Sequence, residues 1–413
     1  MSTVLTRSFR RADAAAPAAA ALLGIALFAG SWTLLHHGFL ARHQIVDTPV
    51  YQSYGQAMVD GQVPYRDFRL EYPPAALPTF VLPALGHPSE SSYKQRFGWL
   101  MLACGIAMLA LMAVTLGSVE ASPARLFGAL AFAGLAPLAL GSVVLTRFDL
   151  WPAAITAGAL AALVSGRLRL GAGLVGLGFA AKLYPGLLLP LGLAYAWRQR
   201  GRREALLCAG VFLGVVALLF VPFLVLSPSG LAASLTRQAS RPLQIESLGS
   251  ALLLGAHHLF GLGLVMSSSH GSQNLAGTGP DAIAVVQSVL EAAAIIGIWV
   301  WYARGPATRE ELLRAGAAAV CAFIALGKVL SPQFLIWLIP LVPLVRGRRG
   351  LLASALFGAA LLLTQGWFPS RYWSLALHFA ATESWLVVAR DLVLVALLLV
   401  LTLPRLSRTP IRS

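Results

Sequence analysis

Charged side chains are scarce in this chain. Only 11% of its 413 residues are Asp, Glu, Lys or Arg, whereas 58% are hydrophobic, and the mean hydropathy is +0.75. A water-soluble domain could not bury so much apolar surface. The composition therefore excludes a soluble protein and predicts one integral-membrane domain over residues 1–413. Its apolar runs are long enough for about twelve helices of about 20 residues each.

Cysteine and metal-binding patterns are also lacking. The three cysteines each lie inside an apolar run, which argues against a disulfide framework or a cysteine metal site. His36, His37 and His43 precede Asp47, but without the spacing of a zinc site. We therefore predict neither a metal nor another cofactor.

Acidic residues are about half as frequent as basic ones, since 16 Asp and Glu stand against 31 Lys and Arg, for a net charge of +15. Such an excess can indicate nucleic-acid binding, but here the arginines form short clusters between apolar runs and no stripe with stacking aromatics. Clusters of this kind mark cytoplasmic loops. The predicted partner is the lipid bilayer and no nucleic acid, with both termini in the cytoplasm.

Run length and arginine clusters predict twelve membrane spans. One run is split into two half-spans, because arginines both precede and follow it and Pro185 would interrupt a continuous helix. The predicted spans are 17–36, 97–117, 125–145, 149–165, two halves of 170–197, 204–226, 281–303, 313–329, 332–346, 350–366 and 384–403.

Two long segments are predicted to lie outside the cytoplasm, at 37–95 and 227–280. Within the first, residues 75–86 are too short to cross and are placed in the membrane interface. The second holds a short apolar piece at 248–265 and then the stretch SSSHGSQNLAGTGP, which is typical of a mobile loop.

With this topology, the unusual polar residues gather at the outer face. They are Asp47, Arg66, Asp67, Arg69, Glu71, Arg147, Asp149, Lys182, Arg241, Glu246, Lys328 and Gln333. A charge at the centre of a span costs about 2.5–3.5 kcal/mol or more, so such residues are expected to be paired or functional. Acids that take a proton, together with cations that stabilise an anionic leaving group, favour group transfer from a lipid phosphate.

Four motifs, in this order, resemble glycosyltransferase family 87, whose members are polytopic GT-C-type enzymes that use polyprenyl-phosphate sugars. The resemblance spans residues 47 to 340, although RFDLWP (147–152) departs from the Asn-Gly-Gln often found there. The motifs are Asp47-x3-Tyr51 followed by PYRDF and EYPP (64–74), AAKLYP (180–185), RPLQIES (241–247) and KVLSPQFLIWLIP (328–340).

The resemblance implies an all-α, GT-C-like fold whose first external loop is catalytic and contains juxtamembrane helices. It implies an inverting transfer of a sugar, usually mannose, from a polyprenyl-phosphate donor to a hydroxyl of an envelope glycolipid or glycan outside the cytoplasm. Asp47 is then the general base, and cations stabilise the leaving phosphate. The candidate substrate-binding residues are Arg66, Asp67, Arg69, Glu71, Tyr72, Lys182, Arg241, Glu246, Lys328 and Gln333.

Structural roles stay open for the residues of the first external segment. Asp47 alternatively caps a juxtamembrane helix. Asp67 and Glu71 alternatively pair with Arg66 and Arg69 as a structural clamp.

The later candidates have similar alternatives. Lys182 and Lys328 alternatively extend their ammonium groups to the membrane interface, and Gln333 alternatively caps the span that follows it. Arg147 and Asp149 alternatively neutralise each other.

Two other functions remain open. A transporter or lipid-carrier flippase would need polar residues through mid-membrane, whereas the predicted cytoplasmic halves are nearly free of charge apart from loop arginines. A non-catalytic envelope assembly factor would keep the fold while tolerating the loss of Asp47.

Overall fold

The computed structural model describes residues 2–42 and 44–403, with side chains described from residue 15 onward. His43 and the basic tail with Arg405, Arg408 and Arg412 lie outside the described residues, as do the side chains of the N-terminal arginine cluster. The described part is predominantly helical, with a single β-hairpin among the described residues, which confirms the predicted fold class.

The described helices are numbered in chain order. Helices α1 to α18 span Ser2–Leu35, Gly38–Arg42, Thr48–Val59, Leu77–Ala84, Glu90–Ser118, Pro123–Leu140, Val143–Thr146, Leu150–Val164, Leu168–Ala181, Leu189–Arg200, Arg202–Leu226, Pro228–Ala239, Leu248–Phe260, Thr278–Arg304, Arg309–Leu326, Gly347–Gln365, Tyr372–His378 and Ala381–Thr402. Short 3₁₀ segments lie between them at Pro74–Ala76, Tyr184–Leu188, Pro332–Leu338 and Val342–Leu344.

Six of the described helices are long and apolar enough to cross a membrane, namely α1 from Ala15 onward, α5, α6, α11, α14 and α18. Shorter apolar helices, among them α8 and α9, pack between them. The apolar window of α11 is only 6% buried, as expected of a helix that faces lipid rather than protein. The prediction of a polytopic membrane protein is confirmed, while the number of twelve crossings stays a prediction.

The predicted break within residues 170–197 is confirmed. Helix α9 ends at Ala181, Lys182 adopts an extended conformation, and a 3₁₀ turn begins at Tyr184 before α10. Pro185 has no backbone N–H to donate, so a regular helix cannot continue through it. Two half-length helices therefore replace one straight span.

Two predicted elements take a different form. The segment 332–346 folds into 3₁₀ turns instead of a regular helix, because Pro332, Pro340 and Pro343 interrupt the α-helical hydrogen-bond ladder. The serine-rich stretch predicted as a mobile loop forms an antiparallel hairpin of β1 (Val265–Ser269) and β2 (Ser272–Ala276).

The hairpin turn has a local cause. His270 and Gly271 connect the two strands and have φ angles of 54° and 69°. Two successive residues with positive φ match the twist of a two-residue β-hairpin. The prediction of a loop was wrong here because serine and glycine are common in both loops and hairpin turns.

The turns predicted to lie in the cytoplasm meet at one end of the helical domain. Arg125 pairs with Glu310 at 2.6 Å, and Arg169 pairs with Glu204 at 2.8 Å. Arg309 also donates to the carbonyl of Ser118 at 2.7 Å, and Arg198 donates to the carbonyl of Ala303 at 2.6 Å. Together these contacts join turns that are far apart in sequence into one common surface.

The segments predicted to be external meet at the opposite end. Thr146 Oγ1 donates a hydrogen bond to the carbonyl of Ile45 (3.3 Å), and Ser227 Oγ donates to the carbonyl of Tyr65 (3.0 Å). The first external segment therefore lies on the ends of helices that follow it by about 100 to 160 residues, as the alternating topology requires.

Helix α3 crosses α4 so closely that only glycine fits at the contact. A Cβ atom on Gly55 would lie 2.2 Å from the carbonyl oxygen of Phe80 and 2.7 Å from Cβ of Ala84. Because the nearest atom belongs to the backbone, the helices would have to separate to make room.

We predict that Gly55→Ala destabilises the protein by about 1–3 kcal/mol through this overlap, although alanine favours a helix by about 0.5–1 kcal/mol elsewhere. The measurement is the melting temperature of the purified variant in detergent. Gly128→Ala on α6 is the matched control, because a Cβ there meets no atom within 4 Å. Equal melting temperatures for the two variants would contradict the close packing of α3 on α4.

Candidate active site

The depth of the candidate site is determined by two short helices. Helices α8 and α9 have 15 and 14 residues, so each is only about 22 Å long, less than the ~30 Å of a bilayer core. Asp149 immediately precedes α8, and Lys182 immediately follows α9. At the opposite end, a hydrogen bond between Ser118 and Ser165 joins α5 to α8, and the Arg169–Glu204 pair joins α9 to α11. The shorter helices therefore leave Asp149 and Lys182 below the level that α5 and α11 reach at this end.

Four aromatic side chains join the first external segment to the helices. Tyr51 stacks on Phe80 with ring centroids 4.7 Å apart, and Phe148 meets Tyr72 at 4.9 Å and Phe80 at 5.4 Å. Tyr51, Phe80 and Phe148 are almost completely buried. This aromatic block fixes α3 and EYPP against residue 148, which brings Asp47 close to Arg147.

Asp47 forms an ion pair with Arg147. Tyr51 Oη also donates a hydrogen bond to Asp47 Oδ2 at 3.4 Å. Asp47 stands at the N-terminal end of α3, yet its side chain makes no capping hydrogen bond there. Its side chain is 32% exposed and that of Arg147 only 7%, so the carboxylate is reachable from solvent on one side and held by a buried cation on the other.

Asp149 pairs with Lys182 and not with Arg147, so these two neighbours in sequence do not simply neutralise each other. Lys182 Nζ lies 2.6 Å from Asp149 Oδ1, and the Trp337 indole donates to the same oxygen at 2.6 Å. The other oxygen, Asp149 Oδ2, is buried without a hydrogen-bond partner. Lys182 is thus held inside the protein instead of reaching for the membrane surface.

Aromatic rings enclose the Lys182 ammonium group. Its Nζ lies 4.7 Å from the ring centroid of Phe148, 5.1 Å from that of Trp337 and 5.7 Å from that of Phe334. Cation–π attraction adds to the ion pair in such an enclosure. One face of Trp337 stacks on Tyr184 at 4.3 Å, which fixes the indole that holds Asp149.

The segment 241–247 (RPLQIES) forms another wall of the site. The amide of Ile245 donates to the carbonyl of Gln273, and the amide of Gln244 donates to the carbonyl of Lys328, both at 3.0 Å. These bonds fix the segment between the β-hairpin and the turn after α15. The segment carries two of the predicted site residues, Arg241 and Glu246.

Arg241 and Glu246 are charged groups largely removed from water. Burial raises the pKa of Glu246 to about 7, and the nearby Arg390, Gln244 and Arg241 oppose that rise. Burial also lowers the pKa of Arg241 below its ordinary value, while Glu246 and Glu71 oppose the change. The Nε of Arg241 is buried without a hydrogen-bond partner.

Arg147 links these groups into one cluster. The carboxylates of Asp149 and Glu246 lie close enough to stabilise its guanidinium charge, and Lys182 lies within electrostatic range of Arg147 and Arg241. The structure therefore brings together residues from three distant motifs, with Arg147 between them: Asp47, Lys182, and Arg241 with Glu246.

The remaining residues of the first external segment lie nearer the surface. Arg66 and Asp67 pair at 2.9 Å with half-exposed side chains, and this pair together with a hydrogen bond from the amide of Val63 lowers the pKa of Asp67 to about 2. Glu71 pairs with Arg237 at 3.4 Å. The predicted clamp thus exists for Arg66 and Asp67, whereas the partner of Glu71 comes from α12. Arg69 is exposed.

Lys328 and Gln333 lie beside the segment 241–247 and the turn after it. Lys328 Nζ donates to the carbonyl of Ala239 at 3.1 Å. Gln333 Oε1 accepts a hydrogen bond of 2.5 Å from Ser331, and no side-chain cap forms at the start of the following 3₁₀ segment. Both side chains are partly exposed.

Sequence analysis missed one pair of charged residues at this end. Arg390 and Asp391 on α18 form an ion pair of 2.6 Å, and both side chains are completely buried. Arg390 Nη2 donates to the carbonyl of Glu246 at 2.6 Å. The signal was present, because two adjacent charges interrupt an otherwise apolar span.

Among the residues whose placement is described, no group of three or more His, Cys, Asp and Glu side chains could hold a metal ion. The chemistry that the cluster does offer is a half-exposed carboxylate for taking a proton and buried guanidinium groups for binding an anion.

Comparison with known proteins identifies the family. The profile of glycosyltransferase family 87 matches residues 70–332, well over half of the chain. The chain belongs to glycosyltransferase family 87. This membrane protein is therefore a glycosyltransferase, and the resemblance noted in the sequence is confirmed. The family 87 match includes Arg147, Lys182, Arg241 and Glu246, while Asp47 precedes it and Arg390 follows it.

A solved structure with a similar chain is that of ArnT from Cupriavidus metallidurans, which was crystallised bound to undecaprenyl phosphate. The two sequences are 14% identical, the match covers 92% of this chain and 76% of the ArnT chain, and the TM-score is 0.48. The search of curated proteins gave no match.

We predict that Lys182→Met lowers stability by about 3–5 kcal/mol, because it leaves the buried Asp149 carboxylate without its cation. The double variant Lys182→Met with Asp149→Asn is the matched control, since an asparagine still accepts the hydrogen bond from Trp337 and carries no charge. Its melting temperature should lie above that of the single variant. A single variant as stable as the unmodified protein, but with a raised donor KM, would show that Lys182 serves the phosphate instead.

Proposed function

We propose that this family 87 enzyme transfers a sugar, with mannose as the first choice, from a polyprenyl phosphate to a hydroxyl of an envelope glycolipid or glycan. The transfer inverts the anomeric centre and takes place at the extracytoplasmic end of the helices. The observation that carries the proposal is the pairing of the accessible Asp47 carboxylate with a buried arginine, near a second, partly buried arginine whose Nε has no hydrogen-bond partner.

In the proposed reaction, Asp47 accepts the proton of the acceptor hydroxyl while that oxygen attacks the anomeric carbon. The bond between the anomeric carbon and the phosphate oxygen breaks on the opposite face, and the polyprenyl phosphate leaves as an anion. Arg147 holds Asp47 in its ionised form before the attack, because a neighbouring cation favours the carboxylate.

The leaving phosphate requires cations that are not already neutralised. Arg241 suits this role best, because its guanidinium is partly buried and makes no ion pair among the described residues. Arg147 can share the phosphate with it, since a guanidinium has five N–H donors. Lys182 is paired with Asp149 and supports the site from below, while Arg66 is paired at the surface.

A lipid-linked donor suits the depth of the site. The charged cluster lies at the ends of short helices, below the level of the neighbouring long ones, and the apolar side of α11 faces lipid. A phosphate carried on a polyprenyl chain reaches such a site from the bilayer, and it brings an already activated sugar. A transporter or flippase remains the alternative function, but no described feature favours it over transfer.

We predict that Asp47→Asn lowers kcat by about 10²–10⁴-fold, the usual contribution of a general base. The asparagine keeps the shape and can still bind Arg147, whose charge the carboxylates of Asp149 and Glu246 also stabilise, so the variant should fold, and its melting temperature checks this. Transfer is measured with purified protein, polyprenyl-phosphate mannose and an envelope lipid extract. Asp60→Asn is the control, because this acid at the end of α3 is more than half exposed. Undiminished transfer by Asp47→Asn would remove Asp47 from the base role.

We predict that Arg241→Gln weakens the donor step, raising the donor KM or lowering kcat/KM for the donor by about 10-fold or more, as expected for the loss of a charge-assisted contact to phosphate. The acceptor KM should change little. Lys94→Gln is the control, because this lysine at the same end is exposed and its ammonium donates to Gln44 at the surface. Donor kinetics equal to those of the unmodified enzyme would overturn the phosphate assignment.

A further inference from the structure

The ion pair of Arg390 and Asp391 is not explained by the reaction proposed above. Both side chains are 0% exposed, and neither reaches the Asp47 carboxylate. Two charges buried in a membrane helix are costly, and a buried pair is often no more stable than two apolar residues of the same size. A function other than stability would account for the pair.

The contacts of Arg390 indicate that function. Its Nε lies 2.6 Å from Asp391 Oδ1, and its guanidinium lies 5.9 Å from the ring centroid of Trp367. These two contacts fix the guanidinium. Its Nη2 then donates to the backbone carbonyl of Glu246 at 2.6 Å, so α18 holds one point of the segment 241–247 from the side that faces the membrane interior.

The other hydrogen bonds of segment 241–247 go to different parts of the chain. Leu243 and Ile245 pair with the β-hairpin through the amide of Leu275 and the carbonyl of Gln273, and Gln244 pairs with the carbonyl of Lys328. Arg390 binds the carbonyl of the next residue, Glu246, shortly before α13 begins at Leu248. The Glu246 carboxylate accepts a hydrogen bond from Gln244 Nε2 within the same segment. Arg390 holds the backbone that carries this side chain, next to Ser247, which is the N-cap of α13.

We propose that Arg390 is a positioning residue for the transfer reaction: it holds segment 241–247 so that Arg241 and Glu246 stand beside Arg147. Asp391 and Trp367 keep the Arg390 guanidinium in place for this contact. The inference rests on the proposed function, since it assigns Arg390 to the same site. It concerns a residue beyond the stretch that matches family 87.

The pH at which Glu246 ionises provides a measurement that tests this positioning role. Charged or titratable groups face it from four parts of the chain: Arg241 in its own segment, Arg147 before α8, Tyr372 on α17, and the Arg390–Asp391 pair on α18. Burial raises the pKa of Glu246 to about 7; Arg390 opposes the rise and Asp391 adds to it. Loss of the cation should therefore raise this pKa further, and loss of the anion should lower it.

The experiment compares Arg390→Gln, Arg390→Lys and Asp391→Asn in the full-length enzyme, with polyprenyl-phosphate mannose as donor and kcat/KM measured from pH 5 to 9. We expect kcat/KM to fall by about 10²-fold in Arg390→Gln, the scale of a small misplacement of reacting groups, and to recover partly in Arg390→Lys. The ionisation near pH 7 should move to higher pH in Arg390→Gln and to lower pH in Asp391→Asn.

Arg96→Gln is the matched control, because Arg96 also donates to a backbone carbonyl at 2.6 Å, that of Leu85, but at an exposed position. Its activity and pH profile should stay unchanged. Asp391→Asn keeps the contact to Glu246, so it remains informative if Arg390→Gln does not fold.

The outcomes separate this inference from the proposed function. No transfer by the unmodified enzyme from any polyprenyl-phosphate sugar would contradict the function itself. Transfer by the unmodified enzyme, together with pH profiles that stay fixed or move the same way in Arg390→Gln and Asp391→Asn, would overturn the positioning role of Arg390 alone.

Discussion

The ion pair between Asp47 and Arg147 is the interaction on which the candidate site depends. Arg147 is buried, and a buried guanidinium without an anion is too costly to keep. Asp47 pairs with it directly, beside the nearby carboxylates of Asp149 and Glu246, and in doing so it fixes the end of the first external segment on the turn before α8. The aromatic block of Tyr51, Tyr72, Phe80 and Phe148 supports the same contact from below. A single pairing thus connects residues 100 positions apart and defines the place where acceptor and donor would meet.

The need to pair a buried charge also distinguishes the other cations at this end of the helices. Lys182 is neutralised by Asp149, Arg66 by Asp67 and Arg390 by Asp391, so none of these is free to bind a substrate anion without giving up a partner. Arg241 and Lys328 are different, because each is partly buried yet forms no ion pair within the described part of the chain. Lys328 donates to the carbonyl of Ala239, whereas the Nε of Arg241 is buried without a partner. In a site of low dielectric, such a group attracts an anion strongly. The ion pairs therefore separate the candidate phosphate-binding cations, which the sequence alone does not distinguish.

Some features of the fold were predictable from the local sequence, and others were not. The break at Lys182 to Pro185 was predictable because proline lacks an amide donor and arginine clusters mark both ends of the run. The turn at His270 and Gly271 was not, because serine and glycine are equally frequent in loops and in hairpin turns. The apolar run at 332–346 predicts a span by its length, but Pro332, Pro340 and Pro343 prevent a regular helix there. Arg390 and Asp391 were visible in the sequence, and only burial showed that they form a pair.

By itself, the sequence determined that this protein lies in a membrane, that its arginine-rich turns share one side, and that its family motifs gather at the other. These properties follow from hydropathy, charge and proline, which act on the chain locally. Only the tertiary structure decided which acid meets which cation. Such pairings join residues from distant helices, and the free energy of each depends on burial and on a distance of a few ångströms, which a linear pattern does not contain.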